Sequence, residues 1–164
     1  MGSTDVSSTR GCSWEVRATE GKGEGLFATR PIRAGEVLFT SQLVRRVDER
    51  DSVHTSEIGV GLFGIFERPF ALLNHSCDPN CVSRQPNETT RVAEAIKDIA
   101  AGEELTFNYN YQNYAFTNFP DKCCCGADAC AGLVLGYKAL SDDQKRRAAH
   151  LALPYLRATA AQTN

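Results

Sequence analysis

Long hydrophobic runs are missing from this chain of 164 residues. No apolar stretch approaches the roughly 18 residues that a membrane-spanning helix requires. The first residues also lack the apolar core of a secretory signal peptide. We therefore expect no membrane partner and an intracellular location, in the nucleus or the cytoplasm. The length corresponds to about one domain of roughly 150 residues.

A surplus of basic residues is also missing. Lys and Arg total 18, Asp and Glu total 20, and the formal net charge is -2. Proteins that bind nucleic acid directly usually carry a basic excess. The balance therefore argues against a nucleic-acid partner, whereas a partner that is itself basic remains compatible with it.

The chain lacks the even cysteine count that is typical of a secreted disulfide framework, because it has seven cysteines and four of them lie within 123–130. Clustered cysteines in a chain without a signal peptide more often bind metal. Cys123, Cys125 and Cys130 can supply three thiolates to one tetrahedral zinc ion, which needs a fourth ligand from elsewhere. The residue types leave seven candidates for that ligand: Cys12, Cys77, Cys81, Cys124, His54, His75 and His150.

Short alternating runs separated by glycine-rich turns predict a mostly β fold with short helices. The phrase Ile-x-Ala-Gly-Glu occurs at 32–36 and again at 99–103, which indicates two similar turn-and-strand units. The mixture of glycine with Phe, Ile and Leu in 52–73 predicts a short helix or irregular packing. Ser141–Gln144 reads as a capping box, so we expect a helix from there to about Leu153, with Pro154 kinking or ending it.

Three further segments carry residues suited to ligand binding. The polar octapeptide Asn74–Cys81 follows an apolar run directly, where side chains at the end of a buried strand can contact a ligand. Gly23-x-Gly25 permits close approach of the backbone to a ligand. In 103–111, alternation places four residues on one face of a strand: Leu105, Phe107, Tyr109 and Tyr111. This face could form an aromatic wall for a ligand with an aliphatic stem and a cationic head, or it could belong to an ordinary core strand.

In their order and spacing these segments resemble the SET-domain protein lysine methyltransferases. The resemblance is carried by Lys22-Gly-Glu-Gly-Leu-Phe-Ala28, the first Ile-x-Ala-Gly-Glu, Asn74-His-Ser-Cys-Asp-Pro-Asn80, Gly102–Tyr109 and the post-SET-like cysteines. It implies a β-clip type SET fold with a knot-like substructure. The implied organisation is a disordered tail (1–12), the SET domain (13–117), a post-SET zinc-binding segment (118–137) and a C-terminal helix and tail (138–164).

The resemblance also implies the site residues and the cofactors, which are S-adenosylmethionine and a structural zinc ion. The implied cofactor-binding residues are Lys22, Gly23, Glu24, Gly25, Leu26, Asn74, His75 and Tyr109. The implied catalytic residues are Tyr109, Phe107 and Tyr111, and a phenylalanine at position 107 leaves room for di- or trimethylation. The implied zinc ligands are Cys77, Cys123, Cys125 and Cys130.

The chain also departs from the family pattern that it resembles. No tyrosine precedes Tyr109, so Phe63, Phe66 and Phe70 are the available replacements for a second channel tyrosine. The middle stretch, about 41–70, is short, which leaves few contacts for a peptide. Three functions follow: methylation of a lysine in a histone or another basic peptide, methylation of a small molecule, and a non-catalytic interaction module.

Overall fold

The computed structural model describes residues 11–49, 54–116 and 122–162, which form nine strands and two helices. A mostly β fold with short helices is therefore confirmed. The predicted disordered tail lies, for residues 1–10, outside the described residues. The strands are β1 (Trp14–Ala18), β2 (Glu24–Ala28), β3 (Val37–Val47), β4 (Thr55–Gly59), β5 (Leu62–Phe66), β6 (Asn74–His75), β7 (Cys81–Asn87), β8 (Thr90–Ala95) and β9 (Glu104–Phe107). The helices are α1 (Asp142–Arg147) and α2 (Pro154–Ala161).

Two sheets organise these strands. One contains β1, β2, β9 and β6 in that order, and the other contains β4, β5, β3, β8 and β7. Every described pairing between strands is antiparallel except that of β6 with β9, which is parallel. The first half of β3 pairs with β8 and its second half with β5, with a register shift in each pairing. Fully buried side chains of β2, β8 and β9 form the centre of the main core, including Leu26, Ala93 and Leu105.

The repeated phrase forms two matching turns that pair with each other. The isoleucines of 32–36 and 99–103 exchange two backbone hydrogen bonds, both of 2.9 Å. In each copy the glutamate side chain accepts a hydrogen bond from the backbone N–H three residues earlier, at 2.7 and 2.5 Å. The glycines have φ values of 89° and 87°, a region that side chains rarely adopt. The repeat therefore marks two equivalent turns that join the sheets.

The stretch 52–73 differs from the sequence prediction. Its described part contains the hairpin of β4 and β5, followed by a single 3-10 turn at Phe70–Leu72. The short helix was a wrong prediction for most of the stretch. Gly59 and Gly61 weaken a periodic strand signal, whereas pairing of β5 with β3 supplies the tertiary support that stabilises the hairpin.

The C-terminal region contains two helices rather than one. The capping box is confirmed, because Ser141 Oγ accepts a hydrogen bond from Gln144 N–H and the Gln144 side chain accepts one from Ser141 N–H. The helix ends at Arg147, however, and Pro154 begins α2 instead of ending α1. Proline suits a first helical position because that N–H has no intrahelical partner to lose. Buried residues of this region form a second core cluster: Tyr137, Ala152, Leu153 and Leu156.

Candidate active site and metal cluster

A cavity of about 850 Å³ is lined by residues from both sheets. Its glycine wall consists of Gly21–Glu24 together with Asn74 and His75. Its arginine wall consists of Thr55–Glu57 together with Arg91 and Gln112. Small-molecule sites typically have volumes of about 300–1,000 Å³, so the cavity has room for a ligand of substantial size.

Six of the eight implied cofactor-binding residues line this cavity: Lys22, Gly23, Glu24, Asn74, His75 and Tyr109. Gly25 and Leu26 lie outside the lining. A Cβ atom at Gly25 would lie 2.8 Å from Glu104 Oε1 and 2.9 Å from Asn74 Nδ2, and the Leu26 side chain is fully buried in the core. These two residues therefore support the glycine wall through packing.

Glu104 connects the parts of the glycine wall. Its Oε2 atom lies 2.6 Å from Lys22 Nζ, and its Oε1 atom accepts a hydrogen bond from Asn74 Nδ2 at 2.8 Å. The same Asn74 Nδ2 donates to the backbone oxygen of Glu24 at 3.0 Å. Asn80 Nδ2 donates to the backbone oxygen of Glu104 at 2.8 Å. Charge-assisted hydrogen bonds in a partly buried position are strong, so these contacts hold the wall in one arrangement.

His75 joins the cavity to the cysteine cluster. Its Nδ1 atom accepts a hydrogen bond from the backbone N–H of Tyr109 at 3.1 Å, so in the neutral ring the proton is on Nε2. That Nε2 atom lies 3.4 Å from Cys77 Sγ. Burial lowers the pKa of His75 to about 4, and the charge of Lys22 contributes in the same direction. The imidazole is therefore neutral at pH 7, and it contacts both the backbone of Tyr109 and the sulfur of Cys77.

Tyr109 and Tyr111 occupy different environments. The strand that was expected to continue through both residues ends at Phe107, and Tyr109–Tyr111 form a 3-10 turn. Asn108 starts this turn, because its side chain accepts a hydrogen bond from Asn110 N–H at 2.9 Å. The expected common face is therefore wrong for the tyrosines. Tyr109 lines the cavity, whereas Tyr111 packs against the second core cluster.

The Tyr109 hydroxyl donates a hydrogen bond to the backbone oxygen of Leu73 at 2.9 Å. A series of aromatic contacts starts at this residue, and three of its members line the cavity: Tyr109, Phe107 and Phe70. Ring centroids are 5.2 Å apart for Tyr109 and Phe107, 5.6 Å for Phe107 and Phe70, and 5.3 Å for Phe70 and Phe66. Of the three phenylalanines expected to replace a channel tyrosine, Phe70 lines the cavity and Phe66 packs beside it. An apolar zone thus separates the two polar walls.

The cysteine cluster contains the four residues that the resemblance implies: Cys77, Cys123, Cys125 and Cys130. Their sulfur atoms all lie within 4.8 Å of one another, and Cys77 Sγ is 3.9 Å from both Cys123 Sγ and Cys130 Sγ. Tetrahedral zinc with Zn–S bonds of about 2.3 Å separates its sulfur ligands by about 3.8 Å, so the spacing fits. Among the candidates for the fourth ligand, Cys77 is therefore the one that the fold brings to the other three.

The acidity of Cys125 also suits a metal ligand. Burial raises its pKa, but backbone N–H groups of Cys77 and Ala127 and the thiols of Cys123 and Cys130 stabilise the thiolate and lower the pKa to about 6, whereas burial raises the pKa of Cys77 and Cys123. Thiolates are the form of cysteine that binds metal. Of the other candidate cysteines, Cys81 is buried in the main core and Cys12 and Cys124 are exposed.

Sequence reasoning missed Arg91 and Gln112, which are both buried in the arginine wall. A signal for Arg91 was present in β8. Alternation places it on the same face as Ala93 and Ala95, and all three are buried, whereas Val92 and Glu94 are half-buried on the other face. An arginine that shares a face with two core alanines is a candidate for burial. Gln112 follows a 3-10 turn and has no comparable periodic signal.

The family model of the SET domain matches residues 23–110 of the chain. Histone-lysine N-methyltransferase NSD3 of Mus musculus is 33% identical over 142 residues, which cover 73% of this chain and 10% of that protein. The H3 lysine-36 specific histone-lysine N-methyltransferase of Aspergillus oryzae is 34% identical over 140 residues, which cover 74% of this chain and 14% of that protein. The chain thus spans about a tenth of the length of these curated relatives.

A solved structure shows the same fold. The methyltransferase domain of human histone-lysine N-methyltransferase SETMAR superposes with a TM-score of 0.57 and 21% identity, covering 75% of this chain and 58% of that one. The chain therefore belongs to the SET-domain family, and the resemblance found in the sequence is confirmed. Neither described helix has the length and hydropathy needed to cross a bilayer.

Proposed function

We propose that this protein is a methyltransferase that moves a methyl group from S-adenosylmethionine to a lysine amine of a protein. Family membership supports this reaction class, and several relatives are named as histone-lysine N-methyltransferases. The single observation that carries the proposal is the cavity, which is lined by six of the implied cofactor-binding residues, Tyr109 among them, together with Phe107. The proposed location is intracellular, in the nucleus or the cytoplasm.

The donor would lie along the glycine wall, held by Lys22–Glu24, Asn74 and His75. When bound, it supplies an electrophilic methyl group on a sulfonium ion. The polar residues of this wall are already fixed by Glu104, so little reorganisation is needed when the ligand arrives. Positioning of this kind provides much of the rate in a displacement between two bound reactants.

The apolar zone prepares the acceptor amine. A lysine amine has a pKa near 10.4 in water, so only a small fraction is neutral at pH 7. Phe70, Phe107 and Tyr109 provide low-dielectric surroundings that disfavour the ammonium form. The Tyr109 hydroxyl and the Leu73 backbone oxygen, which are hydrogen-bonded to each other, are positioned to orient the neutral amine.

We propose zinc as the ion of the cysteine cluster, with a structural role. Four thiolates complete a tetrahedral site and leave no position for water, which is typical of structural zinc. Cys123, Cys124 and Cys125 also line the cavity, so the cluster would hold this segment against the bound donor. The implied catalytic role of Tyr111 stays a prediction, and its packing away from the cavity favours a structural role.

The substrate proposed first is a histone or another basic protein. A small-molecule acceptor is the second candidate, favoured by the middle of the chain. There the described structure shows the second half of β3, the five-residue strands β4 and β5 and one 3-10 turn, which offer little surface for a peptide.

Titration calorimetry with S-adenosylmethionine and a methylation assay on histones and whole-cell extract test the proposal. We expect binding, labelled protein, and a loss of rate of about 100-fold or more in Tyr109→Phe, which keeps the ring but removes the hydroxyl. Tyr111→Phe is the matched control and should retain most of the activity. Absence of cofactor binding would contradict the proposal. Binding without labelled protein would favour the small-molecule acceptor.

A further inference from the structure

Arg91 is a buried cation that has no counter-ion among the residues that the structure describes. Its side chain is 1% exposed and lines the cavity. Its hydrogen bonds run to two backbone oxygens, 3.2 Å to Glu57 and 3.4 Å to Thr90, and its guanidinium lies 4.8 Å from the centre of the Phe66 ring. Among the described residues, no carboxylate forms an ion pair with it. Burial lowers its pKa to about 10, so it remains charged at neutral pH.

The acidic side chain of the arginine wall, Glu57, already accepts hydrogen bonds from backbone groups. Glu57 Oε1 accepts a hydrogen bond from Gly61 N–H at 2.9 Å, and Glu57 Oε2 accepts one from the backbone N–H of Tyr114. Both of its carboxylate oxygens thus accept backbone hydrogen bonds, and its main-chain oxygen accepts the hydrogen bond from Arg91. A buried charge that lacks a paired opposite charge is costly, unless a ligand supplies the missing partner.

Gln112 adds a second unsatisfied group beside Arg91. Its Oε1 atom is buried and has no hydrogen-bond partner among the described residues, although the side chain lines the cavity. The two residues are connected through Tyr155 of α2, whose hydroxyl lies 2.6 Å from the backbone oxygen of Gln112 and 3.4 Å from that of Glu57. A side-chain amide can turn to present either its oxygen or its NH2 group to a ligand.

The position along the cavity separates these groups from the glycine wall. The cation of Arg91 lies over Phe66, and the aromatic series from Phe66 through Phe70 and Phe107 leads to Tyr109, whose ring contacts His75 at 5.2 Å. A donor on the glycine wall and a group bound at Arg91 would therefore lie at opposite ends of this aromatic series. This is the arrangement needed for an acceptor with an amine at one end and an anionic group at the other.

We propose that Arg91 and Gln112 form a carboxylate-binding subsite for the methyl acceptor. The Arg91 guanidinium would donate paired hydrogen bonds to the carboxylate, with the Gln112 NH2 group adding a third, while the amine of the same molecule reaches Tyr109. The carboxylate belongs either to a free amino acid or to a peptide whose acceptor lysine is C-terminal or next to an acidic residue. The inference rests on the proposed methyl transfer for the position of the amine.

Calorimetry with L-lysine and L-lysinamide tests the subsite directly, because these probes differ only in the carboxylate. We expect L-lysine to bind wild-type protein at least about tenfold more tightly, as a charge-assisted hydrogen bond warrants. Arg91→Met should remove the preference and Gln112→Met should reduce it. Equal binding of the two probes, no binding of L-lysine, or a preference that survives in Arg91→Met would overturn the proposal.

Thermal unfolding separates a binding role from a structural one. Replacing an uncompensated buried charge with an apolar side chain of similar size is often neutral or stabilising. We therefore expect Arg91→Met to unfold at the wild-type temperature or higher, and a large decrease would overturn the subsite in favour of a structural arginine. If Arg91→Met does not fold at all, the wild-type probe comparison and Gln112→Met decide the question.

Further arms identify the source of the carboxylate. Two pairs of peptides are compared as acceptors. The first pair has a C-terminal lysine, as the free acid or as the amide, and the second pair has an internal lysine beside glutamate or glutamine. S-adenosylmethionine binding is measured on the same variants. If Arg91→Met weakens that binding tenfold, the carboxylate belongs to the donor and the acceptor assignment is overturned. Failure of wild-type protein to bind the donor would contradict the proposed function alone, because the lysine and lysinamide comparison needs no donor.

Discussion

The two polar walls of the cavity differ in how well their hydrogen-bonding groups are satisfied. In the glycine wall, Glu104 pairs with Lys22 and Asn74, and both ring nitrogens of His75 have partners. In the arginine wall, Arg91 lacks a counter-ion and Gln112 Oε1 lacks a partner among the described residues. The first wall is complete before any ligand arrives, whereas the second contains groups whose burial makes sense when a ligand is bound.

The largest effect on stability is expected when the cysteine cluster next to the glycine wall loses one of its thiols. Cys125→Ser removes one of four thiolates, so zinc content should fall from about one ion per chain to nearly none. We expect the midpoint of thermal unfolding to fall by on the order of 10 °C, measured by calorimetry alongside metal analysis. Cys124→Ser is the control, because that side chain is exposed and lies outside the cluster. Retention of the metal in Cys125→Ser would refute the ligand assignment.

A smaller loss of stability, together with weaker donor binding, is expected when a side chain that holds the glycine wall is changed. Glu104→Gln keeps the shape of the side chain but removes the charge that pairs with Lys22 in a partly buried position. We expect a loss of about 1–2 kcal/mol in the free energy of unfolding and about tenfold weaker S-adenosylmethionine binding by calorimetry.

Glu88→Gln provides the matched control for this change. Glu88 pairs with Arg46 at 3.4 Å on the surface, where both side chains are well exposed and an ion pair contributes little. If the two variants lose the same free energy of unfolding and the same affinity for S-adenosylmethionine, Glu104 does not hold the glycine wall in place.

A substitution in the arginine wall should leave the free energy of unfolding unchanged or raise it. Gln112→Met replaces an amide whose buried oxygen is unpaired, so the free energy of unfolding should stay constant or rise by up to about 1 kcal/mol. Urea unfolding measures this, with an unchanged dependence on denaturant as the sign that the folded state is intact. A loss of more than about 1 kcal/mol would mean that Gln112 is satisfied in the free protein and that the two walls are alike.

The smallest effect is expected on the pH dependence of stability and comes from Cys81. This residue is buried in the same sheet as Arg91 but lies outside the cavity lining. Burial raises the pKa of its thiol from 9.0 to about 12. Because the folded value exceeds the unfolded one, this contribution to stability is complete below pH 9 and is lost as the pH rises from 9 towards 12. Cys81→Ala should weaken the pH dependence of unfolding in that range.

Native alkylation followed by mass spectrometry gives a second measurement on Cys81. Iodoacetamide should modify the exposed Cys12 and Cys124 quickly and Cys81 slowly, since thiolates react and buried thiols do not. Rapid modification of Cys81 would show that this part of the sheet opens as readily as the surface.

The sequence predicted the glycine wall and the cysteine cluster much better than the arginine wall. Asn74, His75 and Cys77 lie within four consecutive residues, and a short motif of this kind determines local geometry by itself. Their partners come from β9 and from the cysteine segment, which also carry recognisable motifs. Gly25 and Leu26 were predicted to bind the cofactor but lie outside the cavity lining, and their packing role becomes apparent only in the fold.

The arginine wall depends on contacts between segments that have no motif. Arg91 in β8 meets the Glu57 backbone in β4, and Tyr155 in α2 completes the connection, across sequence separations that single-chain periodicity does not reveal. The same reason explains the missed hairpin of β4 and β5, whose support comes from β3. The end of β9 was missed for a different reason. There the Asn108 side chain accepts a hydrogen bond from Asn110 N–H and begins a 3-10 turn, which ends a strand that the aromatic residues favoured.

The shared position of His75 has a consequence for binding equilibria. One imidazole accepts a hydrogen bond from Tyr109 N–H and approaches Cys77 with its other nitrogen, so the metal cluster and the cavity prefer the same tautomer. Two ligands that stabilise one state of a shared group raise each other's affinity by the same factor. A donor bound in the cavity would then raise the affinity of the cysteine cluster for an added metal ion, and the dissociation constant of that ion would report on occupancy of a site in which the ion takes no part.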